Sequence, residues 1–214
     1  MRIVDLDNWP RRQQYNFLKD FSYPHFSLCA NMDISAFYPK AKLSGSTFTI
    51  AFVYALSRAA NEITEFRYRM RGDEVVEHDS VHPSVTVLTE GDLFSFCELE
   101  YSDDFSVFAA HAAERYASVK ENPAVENVPG RDDYLYMTSL PWVSFTSMIH
   151  PLDLKNIDSI PRFAWGKFFQ EGDRLKIPLS VQAHHALMDG IHMGRYFQIV
   201  QDYFDNPDLY LKMG

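Results

Sequence analysis

Apolar residues recur at the 3.6-residue spacing of a buried helix face in several separate stretches of the chain. Proline is tolerated in the first turn of a helix, and threonine is a common N-cap. The predicted helices are Pro10–Phe21, Phe48–Asn61 with Thr47 as its cap, Asp104–Lys120, and a last helix that opens near Asp189-Gly190 and includes Phe204. The pattern therefore predicts a chain in which long helices are separated by other structure.

Between these helices the pattern changes to short β-branched or alternating runs, which are typical of strands. The predicted strands are Val75–Val76, Val85–Val87, Phe94–Cys97, Tyr134–Met137, Val143–Met148, and a hairpin that joins Arg162–Phe169 to Arg174–His184. Pro178 lies inside the last strand and predicts a sheet edge or a bulge there, because proline cannot donate to the ladder. The order of elements predicts an α+β fold, a two-layer sandwich in which helices cover a mixed, largely antiparallel sheet.

Composition narrows the classes of function. The chain has 20 Lys and Arg against 29 Asp and Glu, a formal charge of −9. This excess of negative charge disfavours nucleic acid and anionic membranes as partners. No apolar run predicts a signal peptide or a membrane span, and Cys29 and Cys97 are expected to be reduced core residues, so a cytoplasmic location is predicted. Residues 1–214 show no linker or repeat and are predicted to form one catalytic domain.

The segment 182–192 has the highest density of candidate chemistry, with three of the eight histidines and an aspartate. A histidine at a strand end beside a tight Asp-Gly turn can be held in one rotamer and one tautomer, as a general base requires. Two other interpretations are a set of structural polar residues and a metal site. No metal is predicted, because His184 and His185 point to opposite faces of a strand and no Cys or Glu cluster assists them.

The pattern His-His-x-x-x-Asp-Gly over residues 184–190 occurs together with three further sequence blocks. They are Asn8-Trp9-Pro10-Arg11-Arg12 with the residues that follow to Asp33, Leu140-Pro141-Trp142-Val143 with Phe145, and Gln170-Glu171-Gly172-Asp173-Arg174-Leu175 leading through Pro178–Gln182. Together these blocks resemble the chloramphenicol acetyltransferase family of the trimeric type. The resemblance implies a coenzyme-A-dependent acyltransferase fold and O-acetylation of chloramphenicol, a route to antibiotic resistance, with acetyl-CoA as co-substrate. It also implies a homotrimer with active sites at subunit interfaces.

The resemblance assigns roles to four residues. His185 falls where the family places the general base, which takes the proton from the acceptor hydroxyl during direct transfer. Asp189 matches a structural aspartate, and Arg11, which has Arg12 as its neighbour, matches the arginine that pairs with it. Thr138 stands where the family has a serine that stabilises the oxyanion; the alternative is that Thr138 is only a β-branched strand residue.

The resemblance also implies two sets of binding residues. The acceptor set is Phe17, Leu18, Phe26, Phe94, Phe96, Met148 and His150, and the coenzyme set is Trp142, Lys167 and Phe168. The sequence departs from the family at Leu18, Phe96, Met148 and His150, which change the volume and polarity of the acceptor pocket. A different small hydroxylated or thiol-bearing acceptor therefore remains an alternative to chloramphenicol.

Two further interpretations remain. The catalytic domain of a dihydrolipoamide acyltransferase has a similar fold and a His-x-x-x-Asp-Gly signature, but those chains carry lipoyl and subunit-binding domains before it, whereas seven residues precede Asn8 here. A non-catalytic binder of small ligands is disfavoured, because the His185–Asp189 pair and the hydroxyl of Thr138 are intact.

Overall fold

A computed structural model describes residues 1–125 and 130–212 of the chain. The helices are α1 (Arg12–Leu18), α2 (Phe37–Leu43), α3 (Phe48–Asn61), α4 (Phe105–Glu121), α5 (Gly190–Asp205) and α6 (Pro207–Tyr210), with 3₁₀ turns at Thr64–Arg67 and Glu90–Asp92. The strands are β1 (Arg2–Ile3), β2 (His25–Asp33), β3 (Tyr68–Arg71), β4 (Glu74–Glu77), β5 (His82–Leu88), β6 (Phe94–Glu98), β7 (Tyr134–Leu140), β8 (Arg162–Gly166), β9 (Phe169–Glu171) and β10 (Arg174–His184).

The main sheet has seven strands in the order β2-β10-β8-β7-β5-β6, with β9 pairing β10 beside β8. The pairs β5–β7 and β7–β8 are parallel, and the other pairs in this sheet are antiparallel. A second, three-stranded sheet has the order β1-β4-β3. The mixed sheet with its helices confirms the predicted α+β fold class.

The two faces of the main sheet differ in chemistry. On β10, Ile177, Leu179, Val181 and Ala183 alternate into the hydrophobic core beneath α3 and α5. The intervening Ser180, Gln182 and His184 therefore point to the opposite face, because successive strand residues alternate sides. We call this the open face of the sheet. It carries the polar and aromatic residues from which the candidate site is built.

The predicted cap at Thr47 is confirmed, and Asp104, predicted as the first residue of its helix, is also a cap. Helix α3 spans Phe48–Asn61 as expected, and the Oγ1 of Thr47 accepts a hydrogen bond from the amide of Ile50 at 3.2 Å. Asp104 caps α4 in the same way, at the amides of Ser106 and Val107. A side chain that satisfies these first amides fixes where the helix begins.

The first helix is shorter than predicted, and α2 was not predicted. Helix α1 ends at Leu18, and the amide of Phe21 instead closes a turn on the carbonyl of Leu18 at 3.2 Å. Helix α2 contains Pro39 as its third residue. This position is compatible with a helix, since the first-turn amides have no partner within the helix.

The predicted strand Val143–Met148 is wrong. Residues 141–161 form turns and irregular backbone that cross the open face. The carbonyl of Met148 accepts hydrogen bonds from the hydroxyls of Ser27 and Ser180 at 3.0 and 2.9 Å. The amide of His150 donates to Oε1 of Gln182 at 2.6 Å. Side chains of the sheet thus bind backbone groups of this segment, which therefore do not pair with a neighbouring strand.

Pro178 marks a bulge and not a sheet edge, because β10 lies between β2 and β8. Lys176 pairs with Phe169 and Leu179 pairs with Trp165, so two residues of β10 oppose three residues of the partner strand. This extra residue splits the predicted hairpin strand into β8 and β9. A Cβ at Gly166, inside the bulge, would lie 2.7 Å from the carbonyl oxygen of Val143, so glycine permits the crossing segment to approach the sheet.

Candidate active site

His185 is the first residue after β10, on the turn that leads into α5. Its amide donates to the carbonyl of Pro24 at 2.8 Å, and its ring packs 4.4 Å from the ring of Phe26. Nδ1 lies 3.1 Å from the carbonyl oxygen of Met188 and 3.3 Å from Oδ1 of Asp189. Since both neighbours can only accept, Nδ1 carries the proton and Nε2 has the free lone pair of a base.

Arg11 holds the turn that carries His185. Its guanidinium forms two hydrogen bonds with the carboxylate of Asp189, one of them 2.7 Å from Nη2 to Oδ1. The same side chain donates to the carbonyls of His185 and Ala186 at 2.7 and 2.8 Å. Arg12 instead points to Asp7 at the surface, 3.0 Å away. The structure thus pairs Asp189 with Arg11, as the sequence predicts.

The hydrogen bonds from Arg11 lower the pKa of Asp189 below its usual range. The carboxylate is therefore ionised at neutral pH, and its two oxygens are occupied by the guanidinium. A carboxylate in this arrangement is suited to positioning, because proton transfer would require it to lose its charged partner.

The other two histidines of the segment have different surroundings. His184 is buried on the open face with its ring 5.0 Å from that of His25, and burial lowers its pKa to about 4. His192, to which the sequence assigned no role, accepts a hydrogen bond at Nδ1 from the amide of Asp189 at 2.9 Å. Its Nε2 lies 3.4 Å from Oε1 of Glu65. His192 thus fixes the backbone of Asp189, and the spacing i, i+3 at a helix start is the signal that could have revealed it.

A cavity of about 480 Å³ lies between the open face and the crossing segment 141–161. Five predicted residues line it together: Phe94, Phe96, Thr138, Met148 and His150. The sheet wall also includes Tyr136 and Arg162. Arg162 is held by the carboxylate of Asp158, at 3.0 and 2.5 Å. The cavity therefore combines an aromatic wall with polar groups. We call it the acceptor cavity, after the four residues of the predicted acceptor set that line it, Phe94, Phe96, Met148 and His150.

Thr138 lies where this cavity meets a second one of about 350 Å³, lined in part by Trp142. Thr86, Phe94, Thr138 and Leu140 line both cavities. Oγ1 of Thr138 lies 2.6 Å from Oγ1 of Thr86 on the neighbouring strand. If the hydroxyl of Thr86 donates in this contact, the proton of Thr138 is left to donate into the cavities. Thr86 carries no signal in the sequence, since only the parallel pairing of β5 with β7 brings it there.

Of the three predicted coenzyme residues, Trp142 lies in the crossing segment, and Lys167 and Phe168 lie in the bulge between β8 and β9. Trp142 is 65% exposed. The amide of Lys167 donates to the carbonyl of Val143 at 2.8 Å, which ties the crossing segment to the bulge. Phe168 packs 5.1 Å from the ring of Tyr38 and remains partly exposed. An exposed indole and an exposed phenyl ring offer surfaces on which a heteroaromatic ring can stack.

The predicted residues fall into two groups that a single chain does not bring together. Thr138 is in register with Ser180 across β8, whereas His185 lies five residues further along the chain, just past the end of β10. At 3.3 Å per residue and 4.8 Å per strand spacing, about 19 Å separates Thr138 from His185. Phe26 lies against His185, Leu18 packs in a separate apolar cluster with Tyr15, and Phe17 is 70% exposed.

Within residues 1–125 and 130–212, no three His, Cys, Asp or Glu side chains converge as ligands of a metal ion. None of the described helices is long and apolar enough to cross a bilayer.

Comparison with known proteins places the whole arrangement in a family. A family model described as chloramphenicol acetyltransferase matches residues 1–201. A chloramphenicol acetyltransferase of Escherichia coli is 35% identical over 205 residues, which cover 94% of this chain and 93% of the relative. One from Proteus mirabilis is 32% identical over 206 residues, with 95% and 94% covered.

Solved structures agree with the sequence comparison. A chloramphenicol acetyltransferase superposes with a TM-score of 0.83 at 26% identity, over 95% of this chain and 99% of that chain. A probable dihydrolipoamide acetyltransferase from Listeria monocytogenes shares the fold, with a TM-score of 0.66 at 15% identity over 92% of each chain. The chain belongs to the chloramphenicol acetyltransferase family and is an acyltransferase.

Proposed function

We propose that this enzyme transfers the acetyl group of acetyl-CoA to a hydroxyl of chloramphenicol, with His185 as the general base. The observation that carries the proposal is the geometry of His185, whose Nδ1 proton is held by the turn while Nε2 is left for the substrate. The names of the relatives supply chloramphenicol and the acetyl group, and membership of the family implies acetyl-CoA as the donor. The enzyme is expected to act in the cytoplasm, where Cys29 and Cys97, which form no disulfide, stay reduced.

The reaction needs no covalent enzyme intermediate. Nε2 of His185 accepts the proton of the acceptor hydroxyl as its oxygen attacks the thioester carbonyl. The tetrahedral intermediate carries its negative charge on the former carbonyl oxygen. When that oxygen re-forms the carbonyl, the carbon–sulfur bond breaks, and the imidazolium returns the proton to the leaving thiolate. The products are the acetyl ester and free coenzyme A.

A complete site requires two copies of the chain. Since about 19 Å separates Thr138 from His185 within one chain, the base of one subunit would have to reach the acceptor cavity of the next. The homotrimer predicted from the sequence would supply this arrangement. His185, Phe26, Leu18 and Phe17 would then face the cavity wall that includes Phe94, Phe96, Met148 and His150.

Trp142, Lys167 and Phe168 are proposed to bind the coenzyme. Their support is that the amide of Lys167 binds the carbonyl of Val143, next to Trp142 in the chain, and that the rings of Trp142 and Phe168 are exposed. The cavity beside Trp142 also meets the acceptor cavity at Thr138. A thioester that enters beside Trp142 would bring its carbonyl to the hydroxyl of Thr138. The two substrates would therefore meet at the residue proposed to stabilise the oxyanion.

The substitution Thr138→Ala is expected to lower kcat about 100-fold, because it removes one hydrogen-bond donor to the oxyanion. KM for acetyl-CoA should stay at the parent value, since the donor acts in the transition state. Thr138→Ser keeps the hydroxyl and should retain most of the activity. Steady-state kinetics with both substrates varied measures this; a large rise in the coenzyme KM would instead make Thr138 a pocket residue.

The proposed reaction is tested with the purified protein, acetyl-CoA and chloramphenicol, by following the release of free thiol and the mass of the product. We expect thiol release that depends on chloramphenicol and an antibiotic that gains one acetyl group. A chloramphenicol derivative whose hydroxyls are already acetylated serves as the control and should give no release. Release with dihydrolipoamide but not with chloramphenicol would overturn the acceptor and leave acyl transfer in place.

A further inference from the structure

The acceptor cavity contains a histidine whose hydrogen-bonding capacity is only partly used. His150 lies on the crossing segment, and its backbone is fixed by the bond from its amide to Oε1 of Gln182 at 2.6 Å. Both ring nitrogens of His150 are buried. The side chain of Gln182 lies within hydrogen-bonding reach of the ring, and residues 1–125 and 130–212 provide the other ring nitrogen with no partner. The cavity wall thus presents a fixed side chain with one ring nitrogen unused.

Unused polar atoms in a buried place cost stability, because they lose hydrogen bonds to water and gain none. Buried polar groups in proteins almost always have partners, so an exception calls for an explanation. An apolar residue of similar size would fill the same place without this cost. The position of His150 on a substrate cavity points to a partner that arrives with the substrate.

The chemistry of that partner follows from the charges around His150. Burial and the nearby Arg162 lower the pKa of His150 to about 4, so the ring is neutral at pH 7. Arg162 is itself occupied by the carboxylate of Asp158 and the carbonyl of Ile160. This wall therefore offers hydrogen bonds to a neutral group and provides no unpaired cation for an anionic one.

We propose that His150 determines acceptor specificity by forming a hydrogen bond with a neutral polar substituent of the acceptor, while the reacting hydroxyl meets Nε2 of His185 from the neighbouring subunit. This inference rests on the proposed function, because it assigns the cavity to the acceptor. The favoured class is a neutral, hydroxylated, partly aromatic molecule with a second hydrogen-bonding group, such as an amide or a nitro group. Phe94 and Phe96 contact its apolar part, and His150 selects for the polar substituent.

The test uses His150→Leu, His150→Asn and the matched control His111→Leu. His111 lies on α4, outside the acceptor cavity, and its Nε2 is also buried without a partner among the described residues. We expect His150→Leu to raise KM for chloramphenicol at least tenfold, to leave KM for acetyl-CoA unchanged, and to melt at the same temperature as the parent or higher. His150→Asn, which keeps a donor and an acceptor, should recover part of the loss. His111→Leu should bind chloramphenicol as the parent does.

Calorimetric titration of the intact protein with chloramphenicol separates this inference from the proposed function. Tighter binding of chloramphenicol by the parent than by His150→Leu supports the inference, whether or not acetyl transfer follows. Binding without acetyl transfer would overturn the proposed function and leave the inference standing. Acetyl transfer with equal KM and equal Kd in the parent and His150→Leu would overturn the inference and leave the function standing. Absence of chloramphenicol binding by the parent overturns both.

Discussion

Replacing His185 by alanine is expected to lower kcat for acetyl transfer by about 10²–10⁴-fold, the contribution of a positioned general base. The variant loses Nε2, so the acceptor hydroxyl must give up its proton to water. The turn should keep its shape, because the amide of His185 would still donate to Pro24 and Arg11 would still bind the carbonyl of residue 185. Thiol release at saturating acetyl-CoA and chloramphenicol measures the loss.

The control for this experiment is His111→Ala on α4, which removes an imidazole far from the turn and should keep the parent's kcat. A second readout comes from mixing. If each site takes His185 from one subunit and Thr138 from the next, oligomers reassembled from His185→Ala and Thr138→Ala chains contain some intact sites and regain activity. Thiol release by His185→Ala at the parent rate would show that another group is the base, and mixed chains that stay inactive would contradict the shared site.

The elements that the sequence predicted well are those whose ends have a local chemical cause. Thr47 and Asp104 cap α3 and α4 with their own side chains, so the starts of these helices follow from a few adjacent residues. Pro178 is similar, because proline has no amide hydrogen to donate to a neighbouring strand. The irregularity predicted at this position is the bulge in the strand opposite it. In these cases the nearest residues in sequence decide the structure.

The errors come from contacts between residues that are far apart in sequence. Val143–Met148 has the composition of a strand, yet hydroxyls of Ser27 and Ser180 hold its backbone across the open face. Thr86 and Thr138 lie 52 residues apart and meet only through the pairing of β5 and β7. Hydropathy patterns describe which side of an element is apolar and contain no information on such partners.

The candidate site shows the same division between local and distant information. The His-His-x-x-x-Asp-Gly pattern locates the turn, because its residues are consecutive, and the resemblance to the family supplies Arg11 as the partner of Asp189. The pattern does not show that His185 and Thr138 lie about 19 Å apart in one chain. It also does not show that His150 lines the acceptor cavity with an unused ring nitrogen, because the fold of the crossing segment places it there.

Replacing Arg11 by leucine is expected to lower kcat about 100-fold and the free energy of unfolding by about 3 kcal/mol. The change removes four hydrogen bonds, two to Asp189 and one each to the carbonyls of His185 and Ala186. The value of about 3 kcal/mol is at the low end of the range for breaking a buried ion pair, because the side chain of Asp189 is 36% exposed. Urea denaturation at fixed protein concentration and steady-state kinetics measure the two effects.

Arg12→Leu is the matched control, because the neighbouring Arg12 pairs with Asp7 at the surface and should contribute less than about 1 kcal/mol. Arg11→Lys keeps the charge but loses the planar fork that binds both carboxylate oxygens, so it should fall between the parent and Arg11→Leu. A positioning role predicts that kcat falls while KM for acetyl-CoA stays near the parent value. Equal losses in Arg11→Leu and Arg12→Leu would contradict the specific role of Arg11.

The stability difference between the parent and Arg11→Leu is expected to depend on pH in one direction. The pKa of Asp189 is lowered in the folded enzyme, chiefly by the hydrogen bonds from Arg11. The ionised carboxylate therefore stabilises the parent above the pKa that aspartate has in the unfolded chain, and this contribution is lost as the pH falls through the folded pKa. Arg11→Leu lacks the contribution, so its deficit should be largest near neutral pH and should narrow in acid. A deficit that stays constant from neutral pH to acid would mean that Arg11 stabilises the turn through the carbonyls of His185 and Ala186 alone.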